Sequence, residues 1–181
     1  FRYLFVWNLF WICLLVVGVC SSLGSNALNE GLTAYEAQDY QTALSLWKPL
    51  AEQGNAEAQY YIGVMYDRGQ GVEADSVTAL KWYRLAAGQG HAKALFNIGE
   101  AYRTGRGVDR NMGEAVKWYQ KAVELGYPKA QYALGLLNFT GQGLEKNERK
   151  GMELIHAAAE SGYADAEYMM GLACLKGVGG Y

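Results

Sequence analysis

The amino-acid sequence predicts an all-α fold, an α-solenoid of antiparallel helix pairs, over residues 28–181. Three observations support this prediction. Glycine, alanine and aromatic residues recur every 36 residues without a gap, each repeat contains two segments of helix length, and a Gly-x-Gly turn separates these segments. One such pair cannot bury its apolar face alone, so the pairs are expected to gain stability by stacking.

The repeat is counted from four glycines that define position 1: Gly54, Gly90, Gly126 and Gly162. Glycine also occupies positions 10, 16 and 18 of every repeat, and position 5 is always alanine. Position 7 is always aromatic, as Tyr60, Phe96, Tyr132 and Tyr168. Agreement at so many positions without an insertion excludes a chance pattern.

The first segment of each repeat predicts a helix, called helix A, at positions 3–15. The corresponding residues are 56–68, 92–104, 128–140 and 164–176. Pro128 suits a first helical turn, where its missing N–H has no hydrogen bond to lose. The Gly-x-Gly turn that follows supplies the positive φ that ends a helix.

The second segment predicts helix B at residues 76–88, 112–125 and 148–161. Position 22, just before it, holds Asp75, Asn111 and Asn147, whose side chains accept hydrogen bonds from the free N–H groups of a helix N-terminus. Asn111 followed by Glu114 predicts a capping box.

Small residues at positions 5, 10, 26 and 33 predict close helix crossings, at the near end of the usual range of about 8–10 Å between axes. Large residues at positions 9, 29 and 30 are expected to fill the space between successive pairs.

The same frame continues upstream, with Asp39 at position 22 and Ala43 at position 26. Residues 28–53 therefore predict an N-terminal helix pair with a shorter turn, and its first helix is expected at residues 28–37. Pro49 lies late in the second helix and is expected to kink or break it near Lys48.

Residues 1–20 form an apolar run that only Arg2 and Asn8 interrupt. Its dense part, residues 9–19, has the length of a signal-peptide core rather than of a membrane span. Three alternatives remain open: a signal peptide at residues 1–27 cleaved after Ala27, an uncleaved membrane anchor at residues 3–20, or lipidation of Cys20. Each predicts export to the periplasm or beyond, with membrane contact only through this segment.

The net charge argues against a nucleic-acid-binding protein, and the cysteine content argues against a disulfide-stabilised one. The net charge is −2 for the chain and −3 beyond residue 27, with no basic run, so the sequence lacks the electrostatic signature of nucleic-acid binding. Cys13 and Cys20 lie in the leader. If the leader is removed, Cys174 is alone and no internal disulfide can form; Cys174 is then expected to be a small buried apolar side chain.

No catalytic or metal-binding pattern is evident. His91 and His156 have no cysteine or carboxylate at ligand spacing, so no metal site is predicted. No nucleophile has a recognisable base, and the Gly-x-Gly turns lack the strand and the Lys-Ser/Thr of a phosphate loop. The sequence therefore predicts neither a cofactor nor an enzyme.

The segment GNAEAQYYIGVMYDRGQGV, followed by ALKWYRLAA, resembles the Sel1-like repeat family, which is related to tetratricopeptide repeats. The resemblance covers residues 26–181. It implies Sel1-like repeats at 54–89, 90–125 and 126–161, a partial repeat at 162–181, and a tetratricopeptide-like pair at 28–53. It also implies a right-handed superhelix that acts as an adaptor in protein complexes.

Two departures limit what the resemblance implies. A cysteine-rich subset of exported relatives binds or hydrolyses β-lactams, but this chain lacks a cysteine pair in each repeat, which argues against that activity. The third repeat is less regular, with Asn138-Phe139 and Leu154-Ile155 at positions that differ in the first two.

In tetratricopeptide-like stacks helix A lines the concave face, so the resemblance implies that a partner binds there. The candidate residues are Tyr60, Tyr61, Val64, Phe96, Asn97, Glu100, Arg103, Tyr132, Leu136 and Phe139. Equivalent positions also carry Glu57, Asp67, Arg68, Lys93, Thr104, Lys129, Ala133 and Thr140. Aromatic side chains with scattered charges suit an extended peptide or a partner helix. Two other roles remain open: inter-repeat packing for the position-7 aromatics, and a solvated surface for Asn97, Glu100 and Arg103.

The first hypothesis is thus an exported, non-catalytic adaptor that binds a protein or peptide. The alternatives are an exported enzyme or cell-wall-ligand binder, and a membrane-anchored structural spacer.

Overall fold

The computed structural model describes residues 26–175, which form nine helices and no strand. The first, α1, covers residues 26–36. The others are α2 (Tyr40–Glu52), α3 (Ala56–Arg68), α4 (Ser76–Ala87), α5 (Ala92–Thr104), α6 (Met112–Glu124), α7 (Pro128–Thr140), α8 (Glu148–Glu160) and α9 (Ala164–Leu175).

The helices stack as consecutive pairs, with the closest backbone approaches between helices adjacent in the chain. The N-terminal pair is α1–α2, the first pair α3–α4, the second α5–α6 and the third α7–α8; α9 follows. Four apolar clusters occupy the successive layers from α2 to α9. This arrangement confirms the predicted all-α solenoid.

The helix boundaries follow the repeat closely. Helix A of the first three repeats (α3, α5 and α7) has the predicted limits, and helix B ends one residue early in each repeat. Gly69, Gly105 and Gly141 end the A helices in the left-handed conformation, with φ of 67°, 80° and 69°. The three position-22 side chains accept the predicted bonds from the first turns of α4, α6 and α8.

The predicted small positions are tightly packed. The position-5 alanines of all four repeats are completely buried. The position-10 glycines lie against a large side chain of helix B: a Cβ on Gly63 or Gly99 would come within 2.6 Å of the ring of Tyr83 or Tyr119. The second glycine of the turn has another function. At Gly107, a Cβ would lie 2.5 Å from the Ser76 carbonyl oxygen, so this residue brings successive pairs together.

Three local predictions are wrong in whole or in part. Pro49 does not break α2, which continues to Glu52, because Trp47 and Ala51 on either side of the proline are both buried against the next layer; a kink at Pro49 stays a prediction. The capping box is half formed: Asn111 caps α6, but the Glu114 carboxylate accepts a bond from Lys117 at 2.6 Å instead. Cys174 is exposed rather than buried.

The predicted leader at 1–27, including the candidate anchor and Cys20, lies outside the described residues except for Asn26 and Ala27, which belong to α1. No helix between residues 26 and 175 combines the length and the apolar character needed to cross a membrane.

Candidate groove on the A helices

A groove of about 510 Å³ opens along the face formed by α3, α5 and α7. Tyr163, which precedes α9, also lines it. Helix B contributes to the lining as well, because the rings of Tyr83 and Tyr119 pack against the position-10 glycines Gly63 and Gly99 and reach the groove. Glycine at this position therefore lets an aromatic side chain cross from one side of the layer to the other.

Aromatic rings join the A helices of successive repeats. The position-7 ring packs against the position-2 side chain of the next repeat: Tyr60 on His91 at 4.6 Å, Phe96 on Tyr127 at 5.6 Å, and Tyr132 on Tyr163 at 5.3 Å between ring centroids. The position-4 lysines of the next repeat lie above two of these rings, with Lys93 Nζ 5.8 Å from Tyr60 and Lys129 Nζ 5.1 Å from Phe96. The position-7 aromatics thus contribute to packing between repeats.

A polar network occupies the middle of the groove. The Tyr119 hydroxyl donates to Glu100, and Arg103 donates to both oxygens of the same carboxylate, at 3.0 Å and 2.7 Å. Burial alone would raise the pKa of Glu100, but the hydrogen bonds from Arg103 and Tyr119 together outweigh it, and the pKa lies below its usual value. Glu100 is therefore ionised at neutral pH.

The groove tyrosines stay protonated. Desolvation, reinforced by the Glu100 carboxylate, raises the pKa of Tyr119, and desolvation is also the main cause of the raised pKa of Tyr83. At Tyr163, burial and the nearby Asp165 raise the pKa to about 12. These hydroxyls remain neutral hydrogen-bond donors and acceptors across the physiological pH range.

Basic residues outnumber acidic ones in the lining of the groove. Two carboxylates, those of Asp67 and Glu100, face four cations: Arg68, Arg103, Arg106 and Lys129. Asp67 pairs with Arg106 of the following turn at 3.3 Å, and Glu100 pairs with Arg103. Across the described part of the chain, no carboxylate forms a salt bridge with Arg68 or Lys129.

Most of the predicted partner-binding residues lie together in this groove. Seven of the ten line it: Val64, Phe96, Asn97, Glu100, Arg103, Tyr132 and Leu136. The other three lie elsewhere. Tyr60 stacks on His91, Tyr61 stacks on Trp47 of the N-terminal pair at 4.6 Å, and Phe139 lies against Gly151 of α8. Whether these residues bind a partner stays a prediction.

Sequence reasoning missed six lining residues. Arg106 and Gln142 are the middle residues of Gly-x-Gly turns, Tyr83 and Tyr119 come from helix B, Leu137 lies at position 12 of helix A, and Tyr163 occupies position 2. Arg106 and Gln142 could have been predicted, because the glycines on either side have no side chain to cover them. The packing of Tyr83 and Tyr119 against the position-10 glycines could not be predicted from the repeat pattern alone.

The described residues contain no group of three or more His, Cys, Asp or Glu side chains arranged as metal ligands. His91, one of the two histidines, has a structural role: its Nδ1 accepts from the Ala94 N–H at the start of α5, and its Nε2 lies 3.0 Å from Glu57. The groove therefore offers contact area, charge and hydrogen-bonding groups.

A family model described as Sel1 repeat matches residues 20–55, 56–91, 92–127, 128–163 and 164–181 of this chain. The 36-residue period agrees with the one derived from the sequence. Comparison with curated proteins gives no match.

Two solved structures combine this fold with substantial sequence identity. A Sel1 repeat protein from Oxalobacter formigenes is 40% identical, with a TM-score of 0.75 over 81% of this chain and 60% of its own. The protective antigen c5321 of uropathogenic Escherichia coli strains, which displays an SLR fold, is 31% identical, with a TM-score of 0.78 over 86% of this chain and 34% of its own. The present chain thus spans 60% and 34% of the lengths of these relatives.

The cysteine rich protein B of Helicobacter pylori is more distant, at 18% identity. Its TM-score is 0.58, over 72% of this chain and 94% of its own. This likeness concerns the fold alone.

Proposed function

This chain belongs to the Sel1 repeat family, and we propose that it is an exported, non-catalytic adaptor that holds a protein or peptide in the groove of α3, α5 and α7. Proteins built on Sel1 repeats generally mediate protein interactions. The observation that carries the proposal is the groove itself: about 510 Å³, lined by aromatic, aliphatic and charged side chains. Such a surface provides both the apolar contact and the orienting polar groups that peptide recognition uses.

The absence of catalysis is part of this proposal. In the groove the Glu100 carboxylate, the candidate general base, is already held by Arg103 and Tyr119. A carboxylate in a bidentate pair with a lowered pKa is a poor general base at neutral pH. A nitrocefin hydrolysis assay tests this part, and steady turnover would contradict it.

Export is proposed from the apolar composition of the first 20 residues and from the small residues up to Ala27. Fusion of residues 1–27 to alkaline phosphatase, which is active only after export, tests it. Phosphatase activity in intact cells is expected, and a fusion that stays inactive inside the cell would contradict it.

The groove is tested by photo-crosslinking in cells that produce the full chain. Benzoylphenylalanine replaces Asn97 or Gln142, both in the groove lining, and in a matched control it replaces Leu85, which is 53% exposed on α4 outside the groove. Crosslinks to the same protein from both groove positions, and none from Leu85, are expected. Equal crosslinking from Leu85, or none from the groove, would show that partners bind elsewhere or not at all.

A further inference from the structure

We infer that the occupant of the groove is an extended acidic peptide, in which Asp or Glu side chains flank a large apolar residue. This inference rests on the proposed function, and it specifies the chemistry of the partner.

The first argument is the charge of the groove. The chain as a whole carries a net charge of −2, yet the groove lining has four basic residues and two acidic ones. A positively charged groove on a negatively charged molecule attracts acidic partners, which the rest of the surface repels.

The second argument is that the acidic groups of the groove are already occupied. Glu100 accepts from Arg103 and Tyr119, and Asp67 lies 3.3 Å from Arg106. A lysine or arginine of a basic peptide would meet carboxylates whose charge is already neutralised by these cations, and it would be repelled by the cations themselves. Binding of a basic peptide is therefore disfavoured in this groove.

The third argument is the position of the two surplus cations. Arg68 lies in the last turn of α3 and Lys129 in the first turn of α7, and both side chains are exposed. Among residues 26–175 neither has an acidic partner within salt-bridge distance. Lys129 also stands at the positive end of its helix, where the helix dipole adds to its charge. Both cations are thus available to a carboxylate from outside.

The spacing of these cations favours acidic side chains along a peptide over a single terminal carboxylate. Helix α5 lies between α3 and α7, so with about 8–10 Å between neighbouring axes the two helices are about 16–20 Å apart. Arg68 and Lys129 also lie at opposite ends of these parallel helices, which adds about 16 Å along the axis at about 1.5 Å per residue, so the two positions are about 23–26 Å apart. An extended chain advances about 3.3 Å per residue, so acidic residues about seven residues apart would match. Between them, the half-buried Tyr132 and Leu136 offer the apolar surface for a large side chain.

The test is fluorescence anisotropy with the purified full chain and a labelled ten-residue peptide. The peptide has blocked ends, two glutamates seven residues apart and a phenylalanine between them. Three comparison peptides carry glutamine for both glutamates, lysine for both glutamates, or alanine for phenylalanine. Two protein variants complete the design: the double variant Arg68→Gln/Lys129→Gln, and Lys121→Gln on α6, which removes an equivalent charge outside the groove lining.

The glutamate peptide is expected to bind at least about tenfold more tightly than any comparison peptide, with an affinity that falls as salt rises. The double variant should lose about tenfold in affinity, and Lys121→Gln should match the parent. Equal binding of the glutamate and glutamine peptides, tighter binding of the lysine peptide, or an equal loss in Lys121→Gln would overturn the inference. If no peptide binds while groove crosslinks persist, the inference is wrong and the proposed function stands. If the groove crosslinks are also missing, the proposed function fails with it.

Discussion

The second and third helix pairs share one repeat frame but fill the space between their helices differently. In the second pair, positions 11, 14 and 30 are Glu100, Arg103 and Tyr119, which form the polar network of the groove. In the third pair the same positions are Leu136, Phe139 and Ile155, and all three are apolar. The aromatic ring has moved from helix B to helix A.

This exchange has a counterpart at position 26. The second pair has Ala115 there, whereas the third has Gly151, and Phe139 lies against this glycine. A Cβ on Gly135 would lie 3.0 Å from the Gly151 carbonyl oxygen, compared with 3.3 Å between a Cβ on Gly99 and the Ala115 oxygen. The two helices of the third pair, which has apolar side chains at these positions, therefore lie closer together. In the second pair the Tyr119 hydroxyl and the Glu100–Arg103 ion pair occupy the groove lining instead.

The largest effect is expected from overpacking these crossings. Gly99→Leu and Gly135→Leu should each lower the free energy of unfolding by about 1–3 kcal/mol, measured by chemical denaturation. Gly135→Leu should cost more, because the nearby backbone oxygen of Gly151 cannot move without its helix.

Gly171→Ala is the matched control. No atom lies within 4 Å of a Cβ at Gly171, so alanine should leave the stability unchanged or raise it by about 0.5–1 kcal/mol. If Gly135→Leu unfolded like the parent, the assigned helix crossing would be wrong.

A second variant tests the counterpart at position 26. Gly151→Ala should cost about 1 kcal/mol although the other pairs have alanine here, because the new methyl group would come within 3.0 Å of the Phe139 ring and 2.9 Å of the Gly135 oxygen. Combining it with Phe139→Leu should give a smaller loss than the two single changes added together, because the residues are in contact. Strict additivity would mean that the ring and the glycine are independent.

A smaller effect is expected from the hydroxyl of the second pair. Tyr119→Phe keeps the ring over Gly99 but removes the donor to Glu100, and it should cost about 1 kcal/mol of unfolding free energy. Tyr168→Phe, at a tyrosine that is 69% exposed, is the control and should have no measurable effect. If both variants lost the same unfolding free energy, the Tyr119–Glu100 hydrogen bond would contribute nothing specific to stability.

The smallest effect is the pH dependence of that network. The folded protein lowers the pKa of Glu100, so its stabilising contribution is present above the pKa of the unfolded chain and is lost as the pH falls through the folded value. The difference in unfolding free energy between the parent and Glu100→Gln should be constant above about pH 5 and shrink below about pH 4. Urea titrations followed by tryptophan fluorescence measure it. The same pH dependence in an Arg103→Gln/Tyr119→Phe background would contradict the proposed cause.

The helix boundaries could be predicted from the sequence, because the turn and capping residues that determine them act on neighbours only a few residues away. Glycine at the end of each A helix permits the left-handed conformation, and Asp75, Asn111 and Asn147 satisfy N–H groups two or three residues ahead. The two failures at helix α2 and at the capping box have different causes. Burial of Trp47 and Ala51 against the next layer, a tertiary effect, holds α2 together through Pro49. At the capping box the cause is local, because Lys117, three residues later on the same helix, attracts the Glu114 carboxylate.

The candidate site was predictable in part. Helix A positions led to seven lining residues, because the face that a side chain occupies follows from helical spacing. The structure places Tyr61 on Trp47 and Phe139 on Gly151, since the available space in each layer depends on residues far away in sequence. Which aromatic ring faces the groove depends on this packing.

The sequence by itself determined the period, the helices and the stacking of this protein, because these follow from local turn and capping chemistry repeated in register. Only the tertiary structure decided how each layer is filled, which carboxylates are already paired and which two cations are left. Those outcomes depend on contacts between side chains of different helices and turns, such as Tyr119 with Glu100 and Asp67 with Arg106, and the pattern of a single helix does not specify them.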